Sequence, residues 1–210
     1  MAARRTDIDG ITDVDERGAR KRALRAQMRM VRAGIAADAE DRSARSSRIW
    51  AQILALRASG GQRLLAPARI MLFDGLPTEP DTAPWFEWCR EHDLDVFAPA
   101  VDGADLRVVP GDVDPATLDI VVVPGLAFTV DGRRLGQGGG HYDRFLPRLR
   151  PDCVTIGACF AEQIVADLPI EDHDRRVDVV ATDTEVVASE VFMSSEVFQT
   201  VRGAATPRMP

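Results

Sequence analysis

Apolar positions recur at helical spacing in the first part of the chain and then contract into short, almost wholly apolar runs. Leu24, Met28 and Val31 stand at i, i+4 and i+7, which predicts a helix over residues 16–33 with one face toward a core. A second helix is predicted over 38–56, with Ile49, Ile53 and Leu56 inward, closed by Ser59-Gly60-Gly61. Residues 69–73 read as a strand, and residues 83–92 as a helix with Trp85, Phe86 and Cys89 inward and Thr82 as its cap. Strands follow at 96–98 and 120–123, a helix at 141–149 ending before Pro151, a strand at 153–158, a helix at 161–166 and a strand at 177–181. The polar, charged and aperiodic residues 1–15 are expected to form a disordered leader. Residues 16–188 then make a single α/β domain, and 189–210 an extension with a short docked helix (Val191, Phe192, Val197, Phe198) and a disordered tail. Strands alternating with helices imply a mostly parallel sheet with helices on both faces. Ligands in such sheets sit beyond the strand C-termini, where the loops after residues 73, 123 and 158 gather.

One stretch stands apart, DIVVVPGLAFTVDGRRLGQGGGHYDRFL from Asp119 to Leu146. A buried strand runs into the Pro124-Gly125 break, a hydrophobic shelf (Leu126, Ala127, Phe128) and a turn at Asp131-Gly132. Gly136, Gly138, Gly139 and Gly140 follow, just ahead of a helix opening at His141. So dense a glycine run costs conformational entropy and is kept where the backbone needs positive φ or a close approach. Free amides delivered to a helix start form an anion cradle. A dinucleotide fingerprint fails, because His141 stands where a third glycine or alanine would be, and the Gly-Lys-Ser/Thr ending of a Walker A loop is missing. The loop alone therefore reads as a phosphate cradle or as a tight turn.

Composition narrows the partner. Of 210 residues 45% are hydrophobic, enough for one sizeable core, and no apolar run approaches membrane-spanning length. A net charge of −7 argues against a general nucleic-acid or membrane-surface binder, so an anionic ligand has to be met by a local basic cluster. Lys21, Arg25, Arg29 and Arg32 share one face of the first predicted helix, and Lys21 is the only lysine in the chain. A lysine there suits reaching a phosphate as a point charge; the alternative is a solvated face. Cys89, Cys153 and Cys159 lack metal-ligand spacing and suit reduced thiols in a cytoplasmic protein.

VVVPGLAF, RRLGQGGGHYDRFL and PIEDHDRRVDVVATD resemble the signature blocks of the 5-formyltetrahydrofolate cyclo-ligase (5,10-methenyltetrahydrofolate synthetase) family. The resemblance implies the fold shared with sugar-phosphate isomerases and CoA transferases. It also implies an ATP- and Mg2+-dependent ligase that phosphorylates the formyl oxygen of a reduced folate and closes the ring to the methenyl form; the alternative is a non-catalytic or divergent nucleotide/folate-binding protein of the same fold. It assigns ATP to Lys21, Arg22, Arg25, Arg134, Leu135, Gly136, Gln137, Gly138, Gly139, Gly140, His141 and Tyr142. Folate goes to Glu79 of the E-P-D-T block, Gln137, Gly138, Gly139, Gly140 and His141. Catalytic roles fall to Lys21, Arg144 and Tyr142, and magnesium to Asp143 and Asp178, with Asp174 in reserve. His141 stands where the family usually has tyrosine. Residues 101–118 depart most, being short and without an aromatic residue where the family has a longer, tryptophan-bearing stretch. The implied partners are a reduced folate and ATP, without nucleic acid or membrane, in a cytoplasmic monomer or homodimer.

Overall fold

The computed structural model describes residues 9–59, 68–169 and 175–188. Its centre is a seven-stranded sheet of order β3-β2-β1-β4-β7-β8-β9. The strands are β1 (Arg69–Met71), β2 (Asp95–Asp102), β3 (Asp105–Val109), β4 (Ile120–Val123), β7 (Val154–Ala158), β8 (Val179–Ala181) and β9 (Val186–Ala188). The five inner strands run parallel, and each edge is finished by one antiparallel strand, β3 beside β2 and β9 beside β8. A separate two-stranded hairpin, β5 (Ala127–Phe128) and β6 (Arg134–Leu135), packs against the sheet through Phe128 on Gly157 and through its turn on Val177.

Strand alternation sorts the side chains into two cores, as the pleat requires. Ile70, Leu72, Ile120, Val122 and Ile156 face α2 (Ala39–Ser59) and α3 (Ala83–Glu91), meeting Ile49, Trp50, Ile53, Trp85 and Cys89. Trp50 stacks on Trp85 with ring centroids 5.3 Å apart, which joins the two helices and adds about 1 kcal/mol beyond area burial. Met71, Val121, Val123 and Val180 point the other way, toward Phe145 of α4 (His141–Phe145) and toward Leu106 and Val108 of β3. Helices thus cover both faces of a mostly parallel sheet, as the sequence pattern implies.

The first helix, α1 (Asp9–Ala36), starts earlier than the apolar stripe does. A nucleated helix gains one hydrogen bond for each residue added, so it runs on past its last apolar contact. Residues 1–8 of the expected leader and the whole 189–210 extension lie outside the described residues. Leu24, Met28 and Val31 do face a core, but a satellite one, formed with Leu126, Ala127, Leu135 and Leu168 around the β5–β6 hairpin. That contact lays α1 across the C-terminal end of the sheet.

Several elements differ from expectation for local reasons. The helix expected at 141–149 is a single α turn followed by a 3-10 turn over Leu146–Arg148, because Pro147 has no N–H to continue the ladder. The one expected at 161–166 shrinks to Ala161–Gln163, since Ile164 bridges Phe128 and the Val165 N–H donates to the Phe128 carbonyl. Thr82 does not cap α3 with its side chain. Its hydroxyl donates to the Phe73 carbonyl, while Asp81 accepts from the Ala83 N–H. Residues 101–118, expected to hold no element, complete β2 and form β3 through a tight turn at Gly103, which has φ +60°.

All three cysteines are buried and reduced. Burial pushes the Cys153 thiol up to about 12, and Cys159 is raised further for the same reason. A thiol reagent at mildly alkaline pH is therefore expected to label none of them in the time that labels all three in denaturant. A fast-reacting thiol in the native protein would contradict this packing.

Candidate active site

A cavity of about 560 Å³ opens at the C-terminal end of β1, β2 and β4, beneath α1. The loop from Gly136 to Gly140 lines it on the side where β6 leads into α4. Gly138 and Gly140 adopt φ of +110° and +65°, values that other residues rarely take. A Cβ on Gly139 would lie 2.7 Å from the His141 ring, so the ring packs directly on this glycine. The helix that follows spans only five residues, so its dipole is small. The attraction for an anion therefore comes from loop amides and from side-chain cations.

Those cations come largely from α1. Lys21, Arg22 and Arg25 line the cavity, and Lys21 is buried. Arg25 Nε donates to the Gly136 carbonyl at 3.0 Å, and Arg29 reaches the Gln137 carbonyl at 3.4 Å, so the helix also holds the loop in place. Arg134 enters from β6, buried, with Nη2 2.6 Å from Asp143 Oδ1 and its guanidinium carbon 5.4 Å from the centre of the Tyr142 ring. Among the described residues, Arg134 Nε and the Tyr142 hydroxyl are buried without a hydrogen-bond partner. Two adjacent orphaned polar groups on a cavity wall fit a polar ligand. Burial raises the pKa of Tyr142, so its phenol stays protonated and lines the site as a neutral donor.

The opposite wall is the loop after β1. Glu79, 5% exposed, accepts from Arg32 Nη1 at 3.0 Å and from the Leu76 N–H at 3.1 Å. Asp74 joins it at the cavity edge. Between the walls lie Phe73, Pro99, Val101 and Leu106. The last three belong to the β2–β3 hairpin, and Val101 and Leu106 are the aliphatic contribution of the segment that departs from the family pattern.

The structure gathers most of the expected site residues and separates two, Asp178 and Arg144, from their expected roles. Asp178 sits at the N-terminal end of β8, on the opposite side of the sheet from the cavity. Its carboxylate accepts from the Thr155 N–H at 2.8 Å and the Thr155 hydroxyl at 2.7 Å, so it links β7 to β8 and does not meet Asp143. Arg144 points out of the cavity. It donates to the Gly139 carbonyl at 2.8 Å and to Ala104, bracing the glycine loop against the hairpin turn. Leu135 packs in the satellite core and also borders the cavity, as expected. Asp174 lies outside the described residues. No group of three or more His, Cys, Asp or Glu is placed to hold a metal among the described residues. Among the described residues Asp143 is the carboxylate that lines the cavity beside the loop, and one carboxylate with phosphate oxygens is a donor set that suits magnesium.

Sequence reasoning passed over two residues that shape this site. Arg32 was visible as part of a basic stripe, but nothing in the pattern shows that it turns inward. Buried Gln163 donates through Nε2 to the Gly125 and Leu126 carbonyls at 2.9 and 3.0 Å, fixing the cavity floor. No local signal marks it.

Residues 107–183 match the sequence model of the 5-formyltetrahydrofolate cyclo-ligase family, which bears out the resemblance over that segment. The 5-formyltetrahydrofolate cyclo-ligase of Mus musculus is 42% identical over 71 residues, covering 30% of this chain and 33% of the relative. That of Escherichia coli (strain K12) is 38% identical over 77 residues, covering 36% and 42%. The mouse match thus spans about a third of the relative's length. Among solved structures, a 5,10-methenyltetrahydrofolate synthetase from Mycoplasma pneumoniae is similar with a TM-score of 0.68 at 23% identity, over 78% of this chain and 98% of that one. Another from Aquifex aeolicus gives a TM-score of 0.67 at 25% identity, over 81% and 93%. The fold is therefore that of the methenyltetrahydrofolate synthetases, α/β with a mostly parallel sheet.

Proposed function

We propose that this chain converts 5-formyltetrahydrofolate to 5,10-methenyltetrahydrofolate with consumption of ATP and release of ADP and phosphate. The observation that carries the proposal is a single cavity with two chemically opposite walls. Loop amides with Lys21, Arg22, Arg25 and Arg134 favour a polyphosphate. Glu79 and Asp74 across the aliphatic middle favour a flat heterocycle rich in N–H donors. A cavity built this way holds two substrates face to face, as a transfer between them requires.

The formyl oxygen takes the γ-phosphoryl group of ATP, and ADP leaves. The neighbouring folate nitrogen then attacks the activated carbon, the ring closes, and the oxygen departs with phosphate. Formamide oxygen leaves poorly, whereas phosphate leaves well. The protein's share is positioning and charge stabilisation, because phosphoryl transfer asks for little covalent help. Arg134 and Lys21 stabilise charge on the transferring group, and the neutral Tyr142 hydroxyl donates a hydrogen bond. His141, with its ring held against Gly139, lines the shared wall. Magnesium would be held by Asp143 with phosphate oxygens and would supply charge neutralisation there. We assign the catalytic unit to residues 16–188 of a cytoplasmic monomer or homodimer.

The test is a spectrophotometric assay for methenyl product with 5-formyltetrahydrofolate, ATP and magnesium. ATP binding without product would leave only the binding-protein reading. Two aspartates sharpen the assay. Asp143→Ala is expected to lower magnesium-dependent turnover about a hundredfold. Asp178→Ala is expected to leave turnover within about twofold while costing about 2 kcal/mol of stability through lost hydrogen bonds. Equal loss of turnover in both variants would contradict the separation of the two carboxylates.

A further inference from the structure

Arg32 belongs to no binding wall, yet it is more completely buried than Lys21 or Arg134 on the same helix and hairpin, at 2% exposure. Its guanidinium is spent entirely on the loop that carries Glu79. Nη1 lies 3.0 Å from Glu79 Oε1, Nε 3.1 Å from the Thr78 carbonyl and Nη2 2.6 Å from the Thr78 hydroxyl. Such a planar fork fixes direction as well as charge, which a lysine ammonium cannot do. Glu79 in turn is buried, and a buried carboxylate persists as an anion only when paired and hydrogen-bonded. Arg32 gives it the charge partner, and the Leu76 N–H holds its second oxygen. Each oxygen keeps an acceptor lone pair beyond these bonds, and Glu79 borders the cavity.

The same helix face reaches the other wall. Arg25 grips the Gly136 carbonyl about two turns, roughly 10 Å, before Arg32 grips Glu79. One rigid element thus sets both the phosphate-facing loop and the acidic wall, at a spacing fixed by helix geometry.

We propose that Arg32 is a positioning residue, which aims the Glu79 carboxylate into the cavity to accept N–H donors from the heterocyclic substrate and so governs affinity for that substrate alone. This rests on the ligase reading above. Arg32 touches neither substrate and acts through Glu79.

The experiment compares the full-length wild type with Arg32→Lys, Glu79→Gln and the double variant. Arg32→Lys is expected to raise KM for the reduced folate about tenfold, with KM for ATP within about twofold. The double variant should bind folate no more weakly than Glu79→Gln alone, because the arginine has nothing left to aim. Additive losses, or equal shifts in both KM values, would mean that Arg32 only supports the fold and would overturn the inference. Should Arg32→Lys fail to fold, Thr78→Val removes one prong of the same fork from a partly exposed position. It should raise the folate KM about threefold and leave that for ATP unchanged, and an unmoved folate KM again overturns it. A crystal structure of the Arg32→Lys or Thr78→Val protein separates this inference from the ligase reading. Glu79 should be displaced from the Leu76 N–H, and a carboxylate unmoved there would sink the inference whatever the folate assay gives. A wild type that converts no folate would sink only the activity.

Discussion

Arg134→Met is expected to lower kcat/KM for ATP by about two to three orders of magnitude while leaving affinity for the reduced folate within about threefold. The size follows from where the guanidinium sits. It is buried at the junction of the glycine loop, Asp143 and the Tyr142 ring, with Nε carrying no protein partner among the described residues. A cation held dry beside a transferring phosphoryl group acts with little screening, and methionine fills its volume without its charge. The substitution also deprives Asp143 of the partner it holds at 2.6 Å, so the magnesium dependence should change along with the ATP dependence. Stopped-flow turnover across an ATP and magnesium grid reads both. A variant that keeps more than about a tenth of the wild-type kcat/KM would show that the phosphates are gripped elsewhere.

Gly132→Ala should damage the fold, not the chemistry. Gly132 turns the β5–β6 hairpin at φ +84°, and a Cβ there would lie 2.1 Å from the Val177 carbonyl oxygen. Both its backbone groups are engaged, the N–H with the Thr129 carbonyl at 3.0 Å and the carbonyl with the Val177 N–H at 2.8 Å. The clash is with backbone, so neither side can give way by changing rotamer. Left-handed strain in alanine together with the lost docking bond gives a cost of about 3 to 4 kcal/mol. For a domain of this size that is a fall in Tm of about 10 °C. Turnover measured well below the transition should stay within about threefold, since the turn itself does not line the cavity. A Tm change under about 3 °C would mean that the hairpin is not docked on Val177 as described.

Much of this architecture is readable from residue order because the inner strands are buried on both sides. Ile120 to Val123 is a continuous apolar run and Val154 to Ala158 is buried throughout with one threonine, and such runs spaced by helical segments specify a parallel sheet. The edges are harder. Strand β3 alternates, with Leu106 and Val108 inward and Arg107 outward, after an Asp102-Gly103 pair that is a known hairpin signal. Its meaning is hidden because the segment is judged against a longer family pattern and not on its own alternation. Strand β9 pairs with β8 across a turn in which the Thr182 hydroxyl accepts from the Thr184 and Glu185 N–H groups, a contact the apolar pattern does not show.

The site follows the same division. Glycines at positive φ and basic residues at helical spacing are local properties, and the sequence displays both. Which way a side chain finally points is a tertiary outcome. Asp143 and Asp178 look alike as neighbours of apolar runs, but one precedes a strand and the other follows a loop at the far end. A parallel sheet sends those two positions to opposite rims. Arg144 and Arg134 differ in the same way, since the single turn of α4 rotates Arg144 outward toward Ala104.

Phe128 has a bearing on how this protein accommodates its substrates. Its ring occupies the space that a Cβ on Gly125 or on Gly157 would need, with ring atoms at 2.6 and 2.5 Å from those positions. Gly157 is the penultimate residue of β7, an inner strand, so the ring keys the cavity floor to the body of the sheet. The floor is then an anvil and cannot yield when two substrates enter together. Any adjustment to their entry falls to the roof, where α1 is fastened by a small apolar contact of Leu24, Met28 and Val31 with the hairpin and by arginines on Gly136, Gln137, Thr78 and Glu79.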